Sequence, residues 1–276
     1  MAGIENLEDR IAACILLVLV LSSIVANGCA IYMLQTKKSK TIADMLVFHL
    51  IVSEFSIVAW NLIFRPIVWF GNIPHTPMIR MVVSQFLSSL IYQSIIFISF
   101  DRLLAARLNV RYKVNVTKDR LILVIMLMWV LSILSATICG IDSSSNTIIW
   151  IFWSLITIIA IVISYLYIFM VLYKRRQLFK INLSCSFVRR FNFEIPLFIT
   201  VSCVLTMLIP DIVCVVDHTL YSMWILVTWY TNFLVHPLVY VFFRVYKQRS
   251  VSLVPPTLRF HNIATITTRL WTMISL

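Results

Sequence analysis

Glycine is scarce in this chain, 4 residues in 276, and so is charge, with Asp, Glu, Lys and Arg making up 12%. The first scarcity leaves little room for a loop-rich or barrel fold. The second argues against an ordinary water-soluble domain, which is usually about a quarter charged. There is no Gly-rich phosphate loop, no HExxH and no nucleophile elbow, so enzymatic activity is not expected. The histidines are dispersed at 49, 75, 218, 236 and 261. The six cysteines form no CxxC pair, and most sit inside apolar runs as small fillers. No metal and no cofactor is expected. The N-terminal stretch is acidic (Glu5, Glu8, Asp9) and lacks the basic start of a signal peptide, so the first helix is expected to act as an uncleaved anchor.

What the chain has instead is long apolar runs. Hydrophobic residues make up 61% and the mean hydropathy is +0.95. Runs of roughly 20 apolar residues read as membrane-spanning helices, since a helix needs about that many to cross the hydrocarbon. Seven such runs cover about 11–34, 42–69, 77–107, 119–141, 148–173, 191–216 and 222–243. They are apolar on all sides, unlike the alternating strands of a membrane barrel. The expected fold is all-α: a polytopic seven-transmembrane helix bundle over 11–243. A short N-terminus, 1–10, precedes it, and a tail, 244–276, follows it.

Basic residues orient such a bundle. Of the 23 Lys and Arg, all but Arg10, Arg65 and Arg80 fall in or beside 35–41, 108–118, 174–190 and the tail from 244. The N-terminus is therefore expected outside and the C-terminus in the cytosol. The net charge of +12 follows from topology, and no soluble basic face exists to bind nucleic acid. Lys37, Lys38 and Lys40 are expected against anionic membrane lipid. The sequons at Asn115 and Asn182 fall in loops read as cytosolic and are not expected to carry glycan.

Several motifs stand in order on these runs. The third run ends in Asp101-Arg102-Leu103, followed by LLAARLNVRYK, which contains Arg111. VANGCA carries Asn27, LIVSE ends at Glu54, Trp129 lies in the fourth run and Pro210 in the sixth. HPLVY spans His236 to Tyr240, and FFRVYKQR follows. Together these resemble the rhodopsin-like (class A) G-protein-coupled receptors, in a divergent form like orphan or chemosensory members. Asp101-Arg102-Leu103 stands for Asp-Arg-Tyr, Glu54 for the second-helix Asp, and HPLVY for NPxxY. FFRVYKQR resembles the short amphipathic eighth helix.

The resemblance implies a plasma-membrane receptor that activates a heterotrimeric G protein. Arg102 is held by Asp101 at rest and freed toward the partner by helix movement. Arg111, Arg190 and Tyr240 belong to the same coupling region. Arg190 falls near the sixth-helix position where many members carry an acid, so no lock with Arg102 and a raised basal activity are expected. Ser84 stands where amine receptors carry their Asp, and Tyr230 where visual pigments carry the retinal Lys. Neither a typical amine nor retinal is therefore expected as ligand. The expected ligand is an extracellular small molecule or lipid, lined by Arg65, Ser84, Gln85, Ser88, Tyr92, Asp211, Trp224 and Tyr230. Arg65 and Asp211 either serve the ligand, face the headgroups or pair with each other.

The departures from the pattern are equally specific. MIRMVVSQF has no cysteine, IDSSSNT is short and cysteine-free, and CVLTMLIPD has no Trp before its Pro. The fifth helix lacks Pro, and either Tyr165 or Tyr167 fills its cytosolic Tyr position. In the family the second and seventh helices meet around water or sodium. Here Ile91 replaces a ligating Ser, so a direct or water-bridged Glu54–His236 contact is expected, with Asn27 and Asn232 as further donors. Its protonation either biases the resting and active states or the pair is a static link. The rival reading is a small seven-helix transporter or channel, or a receptor-like protein that has lost signalling. Internal repeats and helices broken by Gly or Pro at mid-membrane, which transporters often show, are not seen in the sequence.

Overall fold

A computed structural model of the chain describes residues 7–37, 40–70, 76–108, 111–142, 145–178, 227 and 230–242. These residues are helical apart from short connections, and no strand occurs among them. The helices are α1 (Leu7–Gln35), α2 (Ile42–Phe70), α3 (Thr76–Leu108), α4 (Tyr112–Asn115), α5 (Lys118–Ile141) and α6 (Ser145–Leu178). A further helical stretch, here α7, runs over 230–242. The chain divides into a compact unit, Met1–Leu238, and a second, Val239–Leu276.

Among the described residues, five helices are long and apolar enough to cross a membrane: Cys14–Gln35, Ile42–Phe64, Met78–Leu108, Lys118–Ile141 and Ile148–Val171. They answer to the first five runs of the sequence. At 1.5 Å per residue, even the shortest, of 22 residues, covers the roughly 30 Å hydrocarbon core. The expected helix over 191–216 and the amphipathic helix after 243 lie outside the described residues. The expected helix over 222–243 is described only in part. The loop expected over 108–118 is not wholly loop, because the one-turn α4 forms inside it.

α3 is the central helix and packs against α2, α5 and α6, while α1 packs against α2. Over an 18-residue stretch of the apolar run of α3, 61% of residues are buried, against 22% over the same length of α5. The outer surface is apolar, unlike that of a protein in water. The exposed side of α5 presents Leu123, Met126, Leu127, Val130, Ile133, Leu134 and Ile138. Its buried side carries Met128, Ser132, Ser135, Ala136 and Cys139. α3 likewise buries Gln85, Ser88, Ser89, Gln93, Ser94 and Ser99. Large apolar groups on the outer surface, with small and polar groups among those packed between helices, are the arrangement expected when the surrounding solvent is lipid. It fits a polytopic helical membrane protein.

Local chemistry sets the helix ends. Asp44 at the start of α2 accepts from the Thr41 backbone N–H (2.8 Å) and hydroxyl (2.6 Å), and the Thr41 hydroxyl accepts from Asp44 N–H (3.2 Å). This reciprocal capping satisfies donors that a helix start leaves open. Lys37 adds an ion pair to Asp44 at 2.5 Å. Thr117 caps α5 by accepting from Arg120 N–H, and the Arg120 guanidinium donates to Asn115 O at 2.6 Å, tying α4 to α5.

Two glycines separate close packing from open space. A Cβ at Gly140 on α5 would lie 3.2 Å from Val82 Cγ2 on α3, whereas one at Gly28 on α1 would meet nothing within 4 Å. Gly140→Val is therefore expected to destabilise the fold by roughly 1–3 kcal/mol through overpacking. Gly28→Ala should be neutral or stabilising, by up to about 1 kcal/mol. Thermal unfolding of both variants in detergent micelles measures the contrast.

Candidate functional site

Three polar clusters lie among the helices. The first joins α1, α2 and α7. Glu54 and His236, both buried, meet directly through Glu54 Oε1 and His236 Nδ1. A carboxylate or an imidazolium alone in this interior would be costly. Together they carry no net charge, whichever of the two holds the proton, and that neutrality makes the burial tenable.

Asn27 does something other than expected. Its amide nitrogen reaches Ser23 O (2.9 Å) and Phe233 O (2.9 Å) rather than Glu54. The reason lies in α7. Pro237 has no backbone N–H, so the carbonyl four residues back, that of Phe233, loses its helical partner. Asn27 supplies the missing donor from α1. Ser23 adds a weaker bond to Tyr230 O at 3.4 Å. Asn232, the other expected donor, is buried on α7 at 2% exposure.

The second cluster is at the far end of α3. Asp101 was expected to hold the Arg102 guanidinium. The two form an ion pair, and the Asp101 carboxylate also accepts a hydrogen bond from the Tyr112 hydroxyl on α4, a residue that the sequence reading did not single out. Arg102 Nε stays 3.8 Å from Asp101 Oδ2, within ion-pair range but beyond a hydrogen bond. That Nε is buried and makes no hydrogen bond among the described residues. Burial, reinforced by the Asp101 carboxylate, pushes the Tyr112 phenol well above its ordinary value. It therefore stays a donor at any physiological pH. Arg111, at the start of α4, is exposed. A phenol–carboxylate bond is charge-assisted and worth about 1.5–3 kcal/mol.

The third cluster lines α3. Gln85, Ser88 and Tyr92 lie one helical turn apart on one face, and all are buried. Ser84 beside them is half-buried. Tyr92 OH accepts from Ser154 Oγ on α6 at 3.3 Å. Gln85 Nε2 donates to Ser89 Oγ at 3.4 Å, while Gln85 Oε1 and Ser88 Oγ have no hydrogen-bond partner among the described residues. Gln93, also missed from the sequence, donates to Ser132 Oγ on α5 at 3.0 Å. Trp153 Nε1 on α6 donates to Ser135 Oγ at 3.2 Å. Tyr230 is buried on α7, edge-on to Phe233. The Arg65 side chain and residues Asp211, Trp224 and Arg190 lie outside the described residues. Tyr240 belongs to the helical stretch of α7 in the second unit. Among the described residues no three His, Cys, Asp or Glu gather into a metal site.

The Pro237 explanation has a sharp consequence. Asn27→Ala should cost about 1–3 kcal/mol, since it leaves the buried Phe233 carbonyl without a donor. Pro237→Ala restores a backbone N–H to that carbonyl. The cost of Asn27→Ala should therefore shrink by at least half in the Pro237→Ala background. A double-mutant cycle read by thermal unfolding checks this, and strict additivity would refute it. The chain matches no protein-family model, and no curated protein matches it significantly.

Proposed function

We propose that the chain is a seven-helix plasma-membrane receptor of the rhodopsin-like kind. In this reading it binds an extracellular small molecule or lipid and activates a heterotrimeric G protein. The observation that supports it best is the Glu54–His236 pair, which joins α2 to α7 across 182 residues. It does so at the two motifs, LIVSE and HPLVY, on which the resemblance rests.

The proposed course of events follows the clusters. Ligand enters beside Ser84, Gln85, Ser88, Tyr92 and Tyr230, with Arg65, Asp211 and Trp224 completing the lining. Gln85 Oε1 and Ser88 Oγ, without a partner among the described residues, offer a ligand hydrogen-bond positions that α3 does not use itself. Rearrangement of α3 against its neighbours carries the change to its other end. There Tyr112 already takes up the Asp101 carboxylate, so the Arg102 guanidinium has only a loose hold to break. Arg102 then meets carbonyl groups of the partner, and Arg111, Arg190 and Tyr240 are further residues that the resemblance assigns to coupling. The N-terminus is extracellular and the C-terminus cytosolic.

A small seven-helix transporter or channel, or a receptor-like protein without signalling, is the competing reading. Cells carrying the chain and a promiscuous G protein distinguish the two. Basal or ligand-linked activation is expected in wild type, with a loss of at least tenfold in Arg102→Ala at equal surface expression. Solute or ion flux without activation would reject the receptor. So would activation that Arg102→Ala leaves intact.

A further inference from the structure

His49 on α2 is a half-buried histidine, and none of the clusters above uses it. Both of its ring nitrogens are engaged. Trp129 Nε1 on α5 lies 3.1 Å from His49 Nε2, and Ser94 Oγ on α3 lies 2.9 Å from His49 Nδ1. Ser94 Oγ is in turn 2.6 Å from Leu90 O.

Donor chemistry fixes every proton in this chain. An indole nitrogen only donates, so His49 Nε2 must accept and carries no proton. The Leu90 carbonyl only accepts, so the Ser94 hydroxyl donates to it. Ser94 Oγ therefore receives its own bond from His49 Nδ1–H. The relay runs Trp129, His49, Ser94, Leu90 and joins three helices through one neutral imidazole tautomer. Phe86 of α3 braces Trp129 edge-on, with ring centroids 5.6 Å apart.

A second proton on His49 has one place to go, Nε2, where it would face the Trp129 N–H. Two donors cannot share that position, so protonation breaks the α2–α5 bond and leaves α3 holding a charged ring. No carboxylate compensates. On α2 the flanking acids are Asp44, committed to Lys37 and Thr41, and Glu54, committed to His236. On α3 the nearest ionisable groups are Tyr92 and Asp101, the latter bonded to Tyr112. On α1, packed against α2, they are Cys29 and Tyr32, both exposed. On α5 there is none between Arg120 and Cys139. None of these is bonded to His49.

We propose that His49 is a proton-binding site that locks the α2–α3–α5 junction when neutral and releases it when protonated. The device does not depend on the receptor reading; it needs only the three helices. In any function that moves α3, it would make that movement sensitive to mild acid.

The discriminating variant is His49→Asn. An Asn side chain offers an oxygen to accept from Trp129 and an amide to donate to Ser94, but cannot take up a proton. Wild type and variant in lipid nanodiscs are unfolded thermally at about pH 7.5 and about pH 5.5, either side of the ordinary imidazole range. Wild type is expected to lose roughly 2–4 °C more than His49→Asn on acidification, the size of one broken hydrogen bond in a chain of this length. Equal losses would overturn the proposal. If the variant does not fold, nitrogen-15 spectra of histidine-labelled wild type decide instead. The resonances assigned to His49 should show Nε2 unprotonated at the higher pH and protonated at the lower one. The indole N–H signal of Trp129 should shift in step. A protonated Nε2 at the higher pH, or no change between the two, would equally overturn it.

Discussion

The constraint on which this structure depends is that a polar group between apolar helices has no water to fall back on. Each must find its partner on a neighbouring helix or in its own backbone, and those partners then dictate which helices meet. The outward-facing apolar side chains do little of this work. On α5 they face outward, where lipid is as good a neighbour as another helix. Specificity is left to a few atoms. Glu54 needs His236, so α2 meets α7. Gln93 reaches Ser132, so α3 meets α5 in one register. Tyr92 meets Ser154, which sets α6 against α3.

The Asn27–Phe233 bond shows how a break in one helix is repaired by another. Pro237 removes a backbone donor from α7, and the orphaned carbonyl becomes a docking point for α1. A proline that looks disruptive within its own helix thereby becomes the reason two helices associate. Asp101 follows the same logic at the end of α3. A buried carboxylate takes the best-placed donor, and that donor is the phenol of Tyr112 on a one-turn helix rather than the neighbouring guanidinium. The four residues of α4 exist as a helix because their ends are tied, by Tyr112 on one side and by Arg120 to Asn115 O on the other.

Much of the helical framework was legible in the sequence, because length and uninterrupted hydrophobicity determine a spanning helix with no reference to tertiary contacts. Glu54 and His236 were legible as a pair for the same kind of reason: an acid in an apolar run demands a partner. What was not legible depended on geometry. Tyr112 sits in a basic stretch that reads as loop, and only the fold back of α4 brings it to Asp101. Asn27 was assigned to the acid beside it in the family pattern, but the carbonyl freed by Pro237 is the nearer claimant. Gln93 and Ser132 are ordinary residues in apolar runs, and nothing in their spacing signals that they meet. His49 and Trp129 were each noticed alone, and only their juxtaposition gives the imidazole a fixed tautomer.

The claim that polar pairs rather than apolar surface specify this bundle is tested most directly at Glu54 and His236. The measurement is the thermal stability of Glu54→Gln, His236→Gln and the double variant in nanodiscs, at constant pH. Because each single change leaves the other group buried with a broken partnership, the account predicts strong non-additivity. The double variant should be no less stable than the worse single variant, with a coupling of about 1–3 kcal/mol. Additive losses, with the double variant as unstable as the sum of the two, would contradict it.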